Sequence, residues 1–168
     1  APILKGKKRM SIEMGGEWQE ELDIQFHFIE GTPAREVLDI QNIWSFQRGN
    51  YGDIQADNVF EPRTVNLHPD ADYYKIRSSI TGHGQNGEFQ SRNHYLNLDG
   101  GAQDFEFTVW KECSTIPIFP QGGTWVFDRA GWCPGDPTLL FEHDITNMVN
   151  PGGQVEIDYG VNGPHMDQ

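Results

Sequence analysis

The chain has 168 residues, of which 19 are glycine, 10 are proline and 12% are aromatic, and its formal net charge is -13. This charge would repel a phosphate backbone, which argues against nucleic acid as a partner. No run of about 18 apolar residues occurs, so no membrane-spanning helix is predicted. The length suits one domain of ordinary size, and the many turn-forming residues favour an all-β protein.

Along the chain, apolar and polar residues alternate in short runs that glycine- and proline-rich turns separate. Alternation of this kind is typical of half-buried strands. Strands of this number and length favour a sandwich or jelly roll. No helix and no internal repeat is predicted, and the polar tail from Gly160 is expected to fray. The nine predicted strands are residues 9–14, 22–29, 37–44, 64–67, 73–81, 93–98, 104–110, 138–145 and 154–159.

The densest run of unusual residues is GGTWVFDRAGWCPG at residues 122–135, which we call the arginine loop. It combines residues that form tight turns with two flat, apolar tryptophans, an adjacent Asp–Arg pair and a cysteine. The strands are expected to hold this loop opposite a second glycine-rich segment, TGHGQNGEF at residues 81–89, which we call the glutamate loop. Loops that a rigid scaffold positions are common places for binding and catalytic residues.

Cys113 and Cys133 are the two cysteines of the chain. They either form one disulfide, which would close a loop of about twenty residues and stabilise the fold by roughly 3 kcal/mol in the chain-entropy model, or remain as two unrelated buried thiols. A disulfide would imply an oxidising compartment and hence export. Because no signal peptide is present, the chain is expected to be a processed or partial product.

The glutamate loop presents Glu88 at the end of a strand, and Arg129 is its natural partner. A guanidinium near this carboxylate would keep it charged and fix its rotamer through a bidentate contact. The alternative is a surface acid and an arginine that is paired elsewhere. Trp125 and Trp132 could stack on the apolar faces of sugar rings, or they could pack in a core.

A metal site is a weaker hypothesis. His83 and His94 could contribute ligands, but no H-x-H, HExxH or paired-cysteine spacing supports such a site. No G-x-S-x-G motif indicates a serine nucleophile either. A metal site is therefore not expected.

The sequence resembles the bacterial peptide-N-glycosidase F family, whose members are peptide-N4-(N-acetyl-β-glucosaminyl)asparagine amidases. Its most specific motif is DRAGWCPG at residues 128–135, and SITGHG at 79–84, GEF at 87–89 and GTW at 123–125 add to it. The resemblance covers about residues 9–160.

The family fold implies two eight-stranded antiparallel jelly rolls side by side, with the active site at their junction. Residues 1–16 would then be the last strand of a preceding jelly-roll domain that is absent here, and residues 17–168 would be the C-terminal, second jelly roll. The partner would be the N-terminal half of the same protein, which could be a separate associated chain.

The resemblance also implies roles for individual residues. Glu88 falls on a catalytic glutamate, and Arg129 on the arginine that orients it. Cys113 and Cys133 match a family disulfide. The positions assigned to substrate binding are Trp132, near the glycan; His83, at an aromatic position of the sugar-binding cleft; Glu13, which would contact the chitobiose core; Asp128; and Trp125.

Three departures from the family pattern stand out. The principal catalytic aspartate of the family lies in a DEWDR-like motif of the first domain, and this sequence has no such motif. Asn86 and Gln90 stand where the family has two cysteines that flank the glutamate. Gly15 and Gly16 follow Met14, where a tryptophan is expected. The chain alone is therefore not expected to supply the whole site.

The function implied by the resemblance is hydrolysis of the amide bond between asparagine and N-acetylglucosamine. This reaction would release the glycan from a glycoprotein or glycopeptide and leave aspartate, in a secreted or periplasmic bacterial protein. A non-catalytic carbohydrate-binding jelly-roll module is the main alternative, since it would keep the tryptophans and the disulfide. A copper-dependent monooxygenase would need clustered histidines, and the six histidines here are scattered.

Overall fold

The computed structural model describes Lys7, residues 24–118 and residues 120–163. The chain divides into two compact units, Ala1–Ile40 and Gln41–Gln168. The strand predicted at 9–14 and the binding residue Glu13 lie outside the described residues. The predicted boundary between residues 16 and 17 stays a prediction.

In the first unit, residues 24–40 contain bends but neither helix nor strand. The prediction of a strand at 22–29 is therefore wrong over its described part, and the one at 37–44 is wrong as well. Phe28 and Ile29 are 85% and 91% exposed. An alternating pattern becomes a strand only when a neighbouring strand pairs with it and its apolar face is buried. These residues have the pattern without that burial.

In the second unit, the described residues form six strands and two short helices. This corrects the expectation of no helix, because a helix of one turn is too short to show a periodic pattern in the sequence. The strands are β1 (Arg63–Asn66), β2 (Lys75–Ser78), β3 (Arg92–Leu98), β4 (Phe105–Val109), β5 (Phe141–Asp144) and β6 (Gln154–Val161). The helices are α1 (Tyr51–Gln55) and α2 (Gln85–Glu88).

The strands form two antiparallel sheets. The larger has the order β1-β6-β3-β4, and the smaller consists of β2 and β5. In the larger sheet, β6 continues to Val161, which pairs with His94 of β3 and is 1% exposed. The expected fraying from Gly160 is therefore wrong for these first residues of the tail, because pairing with β3 and burial stabilise them.

The two sheets contribute to one hydrophobic core. Leu96 of β3 and Ile157 of β6 are fully buried, and Ile76 of β2 belongs to the same cluster. Between the sheets, the ring of Phe107 from β4 lies 4.7 Å from that of His143 in β5. The sheets thus face each other, as the alternation of apolar residues predicts.

The all-β, antiparallel class is confirmed. The described residues contain six strands rather than the eight expected for a jelly roll. The last six of the nine predicted strands each correspond to an observed one, with shifts of a few residues at the ends. None of the helices in the described part of the chain is long and apolar enough to cross a membrane.

Candidate active site

The glutamate and arginine loops lie side by side, as the sequence predicts. The backbone N–H of Gly82 donates to the carbonyl of Ala130 at 3.0 Å, and the N–H of Ala130 donates to the carbonyl of Glu88 at 2.8 Å. The indole Nε1 of Trp132 donates to the carbonyl of Gly82 at 3.0 Å. Backbone groups that pair in this way hold the two loops in one arrangement.

Two glycines permit this close approach. A Cβ atom on Gly82 would come within 2.7 Å of the Cβ of Ala130 in the arginine loop, and within 2.0 Å of the carbonyl oxygen of Gly87 in its own loop. One on Gly131 would come within 2.0 Å of the carbonyl oxygen of Ile80, which directly precedes the glutamate loop. Gly131 also has φ +77°, a conformation that other residues adopt only with strain. A side chain at either position would push the loops apart.

The guanidinium of Arg129 is buried, with its side chain 4% exposed. Its Nε donates to Oε1 of Glu88 at 2.6 Å. Its Nη1 donates to the carbonyls of Trp125 at 3.2 Å and Phe127 at 3.0 Å, and its Nη2 to the carbonyl and hydroxyl oxygens of Thr124 at 2.9 and 3.0 Å. All five donors of the guanidinium can thus be satisfied inside the chain. Arg129 shapes its own loop as well as holding Glu88.

The ion pair predicted from the sequence is therefore present, whereas the catalytic role of its two members stays a prediction. Only one guanidinium nitrogen contacts Glu88, so the pair is not the bidentate contact that was expected. The other nitrogens are used by backbone carbonyls of the loop. The side chain of Glu88 is 18% exposed, so it is largely but not fully shielded from solvent.

Two aromatic rings contact the same guanidinium. Its carbon lies 5.1 Å from the ring centre of Trp132 and 5.2 Å from that of Phe89. Cation–π contacts at this distance are attractive and stronger where water is excluded. They add to the hydrogen bonds that fix the orientation of the charged pair.

His83 and Trp132 form a second aromatic contact, with ring centres 5.2 Å apart and planes 34° apart. His83 is exposed, and its Nε2 lies 3.0 Å from the hydroxyl oxygen of Thr81. Two residues assigned to substrate binding are thus brought together beside the ion pair. Their contact with a sugar stays a prediction.

Cys113 and Cys133 form a disulfide with Cα atoms 5.5 Å apart. The disulfide is confirmed, and the alternative of two unrelated thiols is wrong. With Ile116 the cysteines form a small buried cluster against which Trp125 packs. Trp125 therefore has the packing role that the sequence left open, and its proposed role in substrate binding stays a prediction.

Asp128 is partly buried, and its Oδ1 accepts a hydrogen bond from the backbone N–H of Cys113 at 3.1 Å. This bond ties the arginine loop to the segment that follows β4. Asp128 also lines a groove of about 620 Å³, together with Asn86, Phe89, Gln90, Trp110, Thr124 and Phe127. Asn86 and Gln90, which replace the family cysteines, both lie on this groove.

Sequence reasoning missed several residues that build the site. Thr124 accepts two hydrogen bonds from the guanidinium of Arg129. The ring of Phe89 packs against the same guanidinium. The hydroxyl of Tyr51 in α1 donates to the carbonyl of Gly87 at 3.4 Å, next to Glu88. The GTW and GEF motifs contain Thr124 and Phe89, so they could have been found there. Nothing in the sequence pattern indicates Tyr51, because its contact spans 36 residues.

The histidines considered as metal ligands lie in different surroundings. His94 is buried among the strands, where its Nδ1 lies 2.7 Å from the hydroxyl oxygen of Tyr159, whereas His83 is exposed on the glutamate loop. Within the described ranges, no three His, Cys, Asp or Glu side chains are grouped so that they could hold a metal ion.

Comparison with known proteins gives one family and consistent structural neighbours. A family model described as peptide-N-glycosidase F, C terminal, matches residues 50–168. The peptide-N(4)-(N-acetyl-beta-D-glucosaminyl)asparagine amidase F of Elizabethkingia miricola is 23% identical over 156 residues, a match that covers 83% of this chain and 43% of that protein. The chain thus spans less than half the length of this curated relative.

Two solved structures share the fold. One is PNGase F, a glycosylasparaginase from Flavobacterium meningosepticum, and the other is a peptide-N(4)-(N-acetyl-beta-D-glucosaminyl)asparagine amidase. Each has a TM-score of 0.56 and 24% identity, and each match covers 61% of this chain and 36% of the solved one. At this identity the likeness concerns the fold alone.

Proposed function

This chain belongs to the peptide-N-glycosidase F C-terminal family, and we propose from that premise that it forms part of an enzyme that deglycosylates N-glycoproteins. The reaction is hydrolysis of the amide between asparagine and N-acetylglucosamine. The observation that carries the proposal is the Glu88–Arg129 ion pair, which joins the two loops beside the His83–Trp132 ring pair. A carboxylate held in one orientation next to aromatic rings suits both proton transfer and sugar binding.

Amide hydrolysis makes three demands on a site. Water must be activated, the oxyanion that forms on the carbonyl must be stabilised, and the leaving nitrogen must be protonated. Water then adds to the carbonyl carbon and the C–N bond breaks, which gives an aspartyl peptide and a glycosylamine. Water then hydrolyses the glycosylamine, which releases ammonia and the free glycan.

In this proposal Glu88 orders the attacking water or holds the substrate amide, because its side chain is partly exposed and its carboxylate is fixed by Arg129. Arg129 is a positioning residue, since its five donors are used within the chain. Trp132 and His83 hold the sugars next to the scissile bond. The main acid/base carboxylate is supplied by the rest of the protein, outside the part that this chain matches.

Further features belong to the same proposal. The N-terminal half of the protein completes the site, and both halves are eight-stranded jelly rolls. A disulfide between Cys113 and Cys133 suits a secreted or periplasmic protein, because such bonds persist in oxidising compartments. The reaction needs no metal or organic cofactor.

A carbohydrate-binding module without activity is the second candidate. One observation favours it: the hydrogen bonds of Arg129 are explained by the structure of its loop, without any catalytic role. Such a module would keep the ring pair and the disulfide. It would bind N-glycans without releasing them.

The test uses the full-length protein and a glycopeptide of defined structure. Mass spectrometry should show a free glycan and a peptide in which asparagine has become aspartate. If the Glu88 carboxylate also takes part in proton transfer from the water that it orders, Glu88→Gln should lower kcat by about 10²-fold or more, because a neutral amide cannot serve as a general base. Glu112→Gln, at an exposed glutamate, is the matched control and should leave the rate unchanged. Glycan binding without any release by the unaltered protein would reject the enzyme in favour of the module.

A further inference from the structure

The groove beside the ion pair has no role in the proposed function so far. It lies where the glutamate loop, the arginine loop and the residue that follows β4 meet. Three aromatic rings, those of Phe89, Trp110 and Phe127, form its apolar wall. The remaining lining groups are amide, hydroxyl and carboxylate side chains.

The groove is continuous with the catalytic candidates. Thr124 lines it and also accepts two hydrogen bonds from Arg129. Phe89 lines it and directly follows Glu88 in the chain, and the Phe89 ring contacts the guanidinium. A ligand in the groove would therefore be next to the ion pair that the proposed function places at the scissile amide.

The shape of the aromatic wall suits inserted side chains. The rings of Phe89 and Phe127 are 6.5 Å apart and nearly perpendicular, at 87°, so they form a corner rather than a flat surface. They are 38% and 57% exposed. The backbone of Phe127 makes two hydrogen bonds. Its N–H donates to the carbonyl of Thr124, and its carbonyl accepts from Nη1 of Arg129. The corner is thus preformed, and binding would not have to order it.

The polar lining suits a polypeptide backbone. The amide oxygen of Gln90 accepts from Nη2 of Arg92 at 3.0 Å, and its NH₂ group can donate to a peptide carbonyl. Asp128 adds a carboxylate, which would attract a basic residue and repel an acidic one. A pyranose ring stacks on one flat aromatic face, whereas this corner consists of two rings at right angles.

We propose that this groove binds the polypeptide around the glycosylated asparagine, while Trp132 and His83 hold the glycan. The inference rests on the proposed function, because the substrate of such an enzyme has a peptide on one side of the scissile amide and a sugar on the other. The groove should prefer apolar residues next to the asparagine, and basic residues over acidic ones.

The experiment compares two substrates with the same glycan in the full-length protein. One is a peptide of about nine residues with apolar neighbours around the asparagine, and the other is a single glycosylated asparagine blocked at both ends. Phe127→Ala should raise KM for the peptide about five- to tenfold through the lost apolar contact. The kcat for the peptide should stay unchanged, and so should kcat and KM for the blocked asparagine. Val126→Ala is the control, because Val126 is a neighbour of similar exposure outside the groove.

A second variant tests the charge. Asp128→Asn keeps the Oδ1 that accepts from Cys113 but removes the negative charge. It should reduce the preference for a lysine over a glutamate beside the asparagine about threefold or more. An unchanged preference would remove the carboxylate from the recognition of the peptide.

Equal effects of Phe127→Ala on both substrates, or no effect on either, would overturn the inference. If Phe127→Ala lowers the melting temperature of the full-length protein but leaves KM unchanged for both substrates, another part of the protein covers the groove, and the inference fails.

A second measurement separates this inference from the proposed function: the binding of a fluorescent peptide without glycan, followed by anisotropy. If the unaltered protein hydrolyses neither substrate, the enzyme proposal fails, and loss of peptide binding in Phe127→Ala still supports the groove. If the unaltered protein does not bind the peptide, the groove proposal fails.

Discussion

The two-sheet core and the pair of loops are stabilised in different ways. The core consists of apolar side chains from both sheets, and Leu96, Val155 and Ile157 are each 1% exposed. The loops have one small buried cluster around the disulfide and a buried charge with five hydrogen-bond acceptors. Apolar burial, which has no direction, maintains the scaffold, whereas directional contacts set the geometry of the site.

The difference shows why the loops can hold a charged group in one orientation. Apolar contacts have no preferred direction, whereas a guanidinium with all its donors satisfied loses hydrogen bonds when it turns. The disulfide and the paired backbone groups limit such movement further. Four experiments test whether the core and the loops are stabilised in these different ways.

The largest effect is expected from Arg129→Ala. Removing the guanidinium leaves Glu88 partly buried without its partner and several carbonyls without donors, which should lower the free energy of unfolding by about 3–5 kcal/mol. Urea denaturation measures it. Arg77→Ala is the control, because the Arg77–Glu142 pair is exposed, with side chains 60% and 41% accessible, and should contribute at most about 1 kcal/mol. Equal losses for the two variants would mean that the buried pair does not stabilise the loops.

A core substitution should affect stability without affecting the site. Leu96→Ala removes a fully buried side chain between the sheets and should lower the free energy of unfolding by about 2–5 kcal/mol. Activity well below the melting temperature should stay unchanged, since the loops keep their own contacts. Leu140→Ala, at a residue that is 51% exposed, is the control. A large fall in kcat for Leu96→Ala would show that the core and the loops are coupled.

The disulfide should act mainly on the loops. Replacing Cys113 and Cys133 together by alanine should lower the free energy of unfolding by about 2–4 kcal/mol. Hydrogen exchange should become faster in residues 113–133, while β3 and β6 keep their protection. A uniform increase across the sheets would contradict a separate role of the disulfide.

The smallest effect concerns pH and the core. Burial lowers the pKa of His143 below its ordinary value of 6.5, and the rings of Phe105 and Phe107 pack against it. Since the unfolded chain then binds the proton more readily, stability should be full above about pH 6.5 and fall as the pH drops below that value. Denaturation of His143→Phe between about pH 8 and pH 5 should show a weaker fall. The exposed His83→Gln is the control, and an unchanged slope in His143→Phe would assign the acid sensitivity to other groups.

The sequence predicted the sheets better than the site. Alternation along residues 93–98 and 154–159 indicates β3 and β6, because these strands bury one face and expose the other. The same pattern at 22–29 was misleading, since alternation does not reveal whether a partner strand covers the apolar face. The one-turn helices could not be predicted, because they bury few residues and are too short to show the 3.6-residue period of apolar side chains.

In the site, the sequence indicated Glu88 and Arg129 but not the residues that contact them and hold them in place. Motifs alone cannot show that Thr124 would satisfy one end of the guanidinium, or that Tyr51 would reach the glutamate loop. These contacts depend on how distant segments meet. The bidentate pair that was expected is replaced by a single contact for the same reason, because the loop carbonyls compete for the other donors.

The central claim is that Glu88 and Arg129 act as one unit in hydrolysis. The most direct test is a double-mutant cycle on kcat/KM in the full-length protein, with Glu88→Gln, Arg129→Lys and both together, at a temperature at which all are folded. If the arginine acts through the glutamate, the double variant should be about as slow as the slower single one, within roughly threefold. Losses that multiply in the double variant would contradict the account, because the two residues would then act independently.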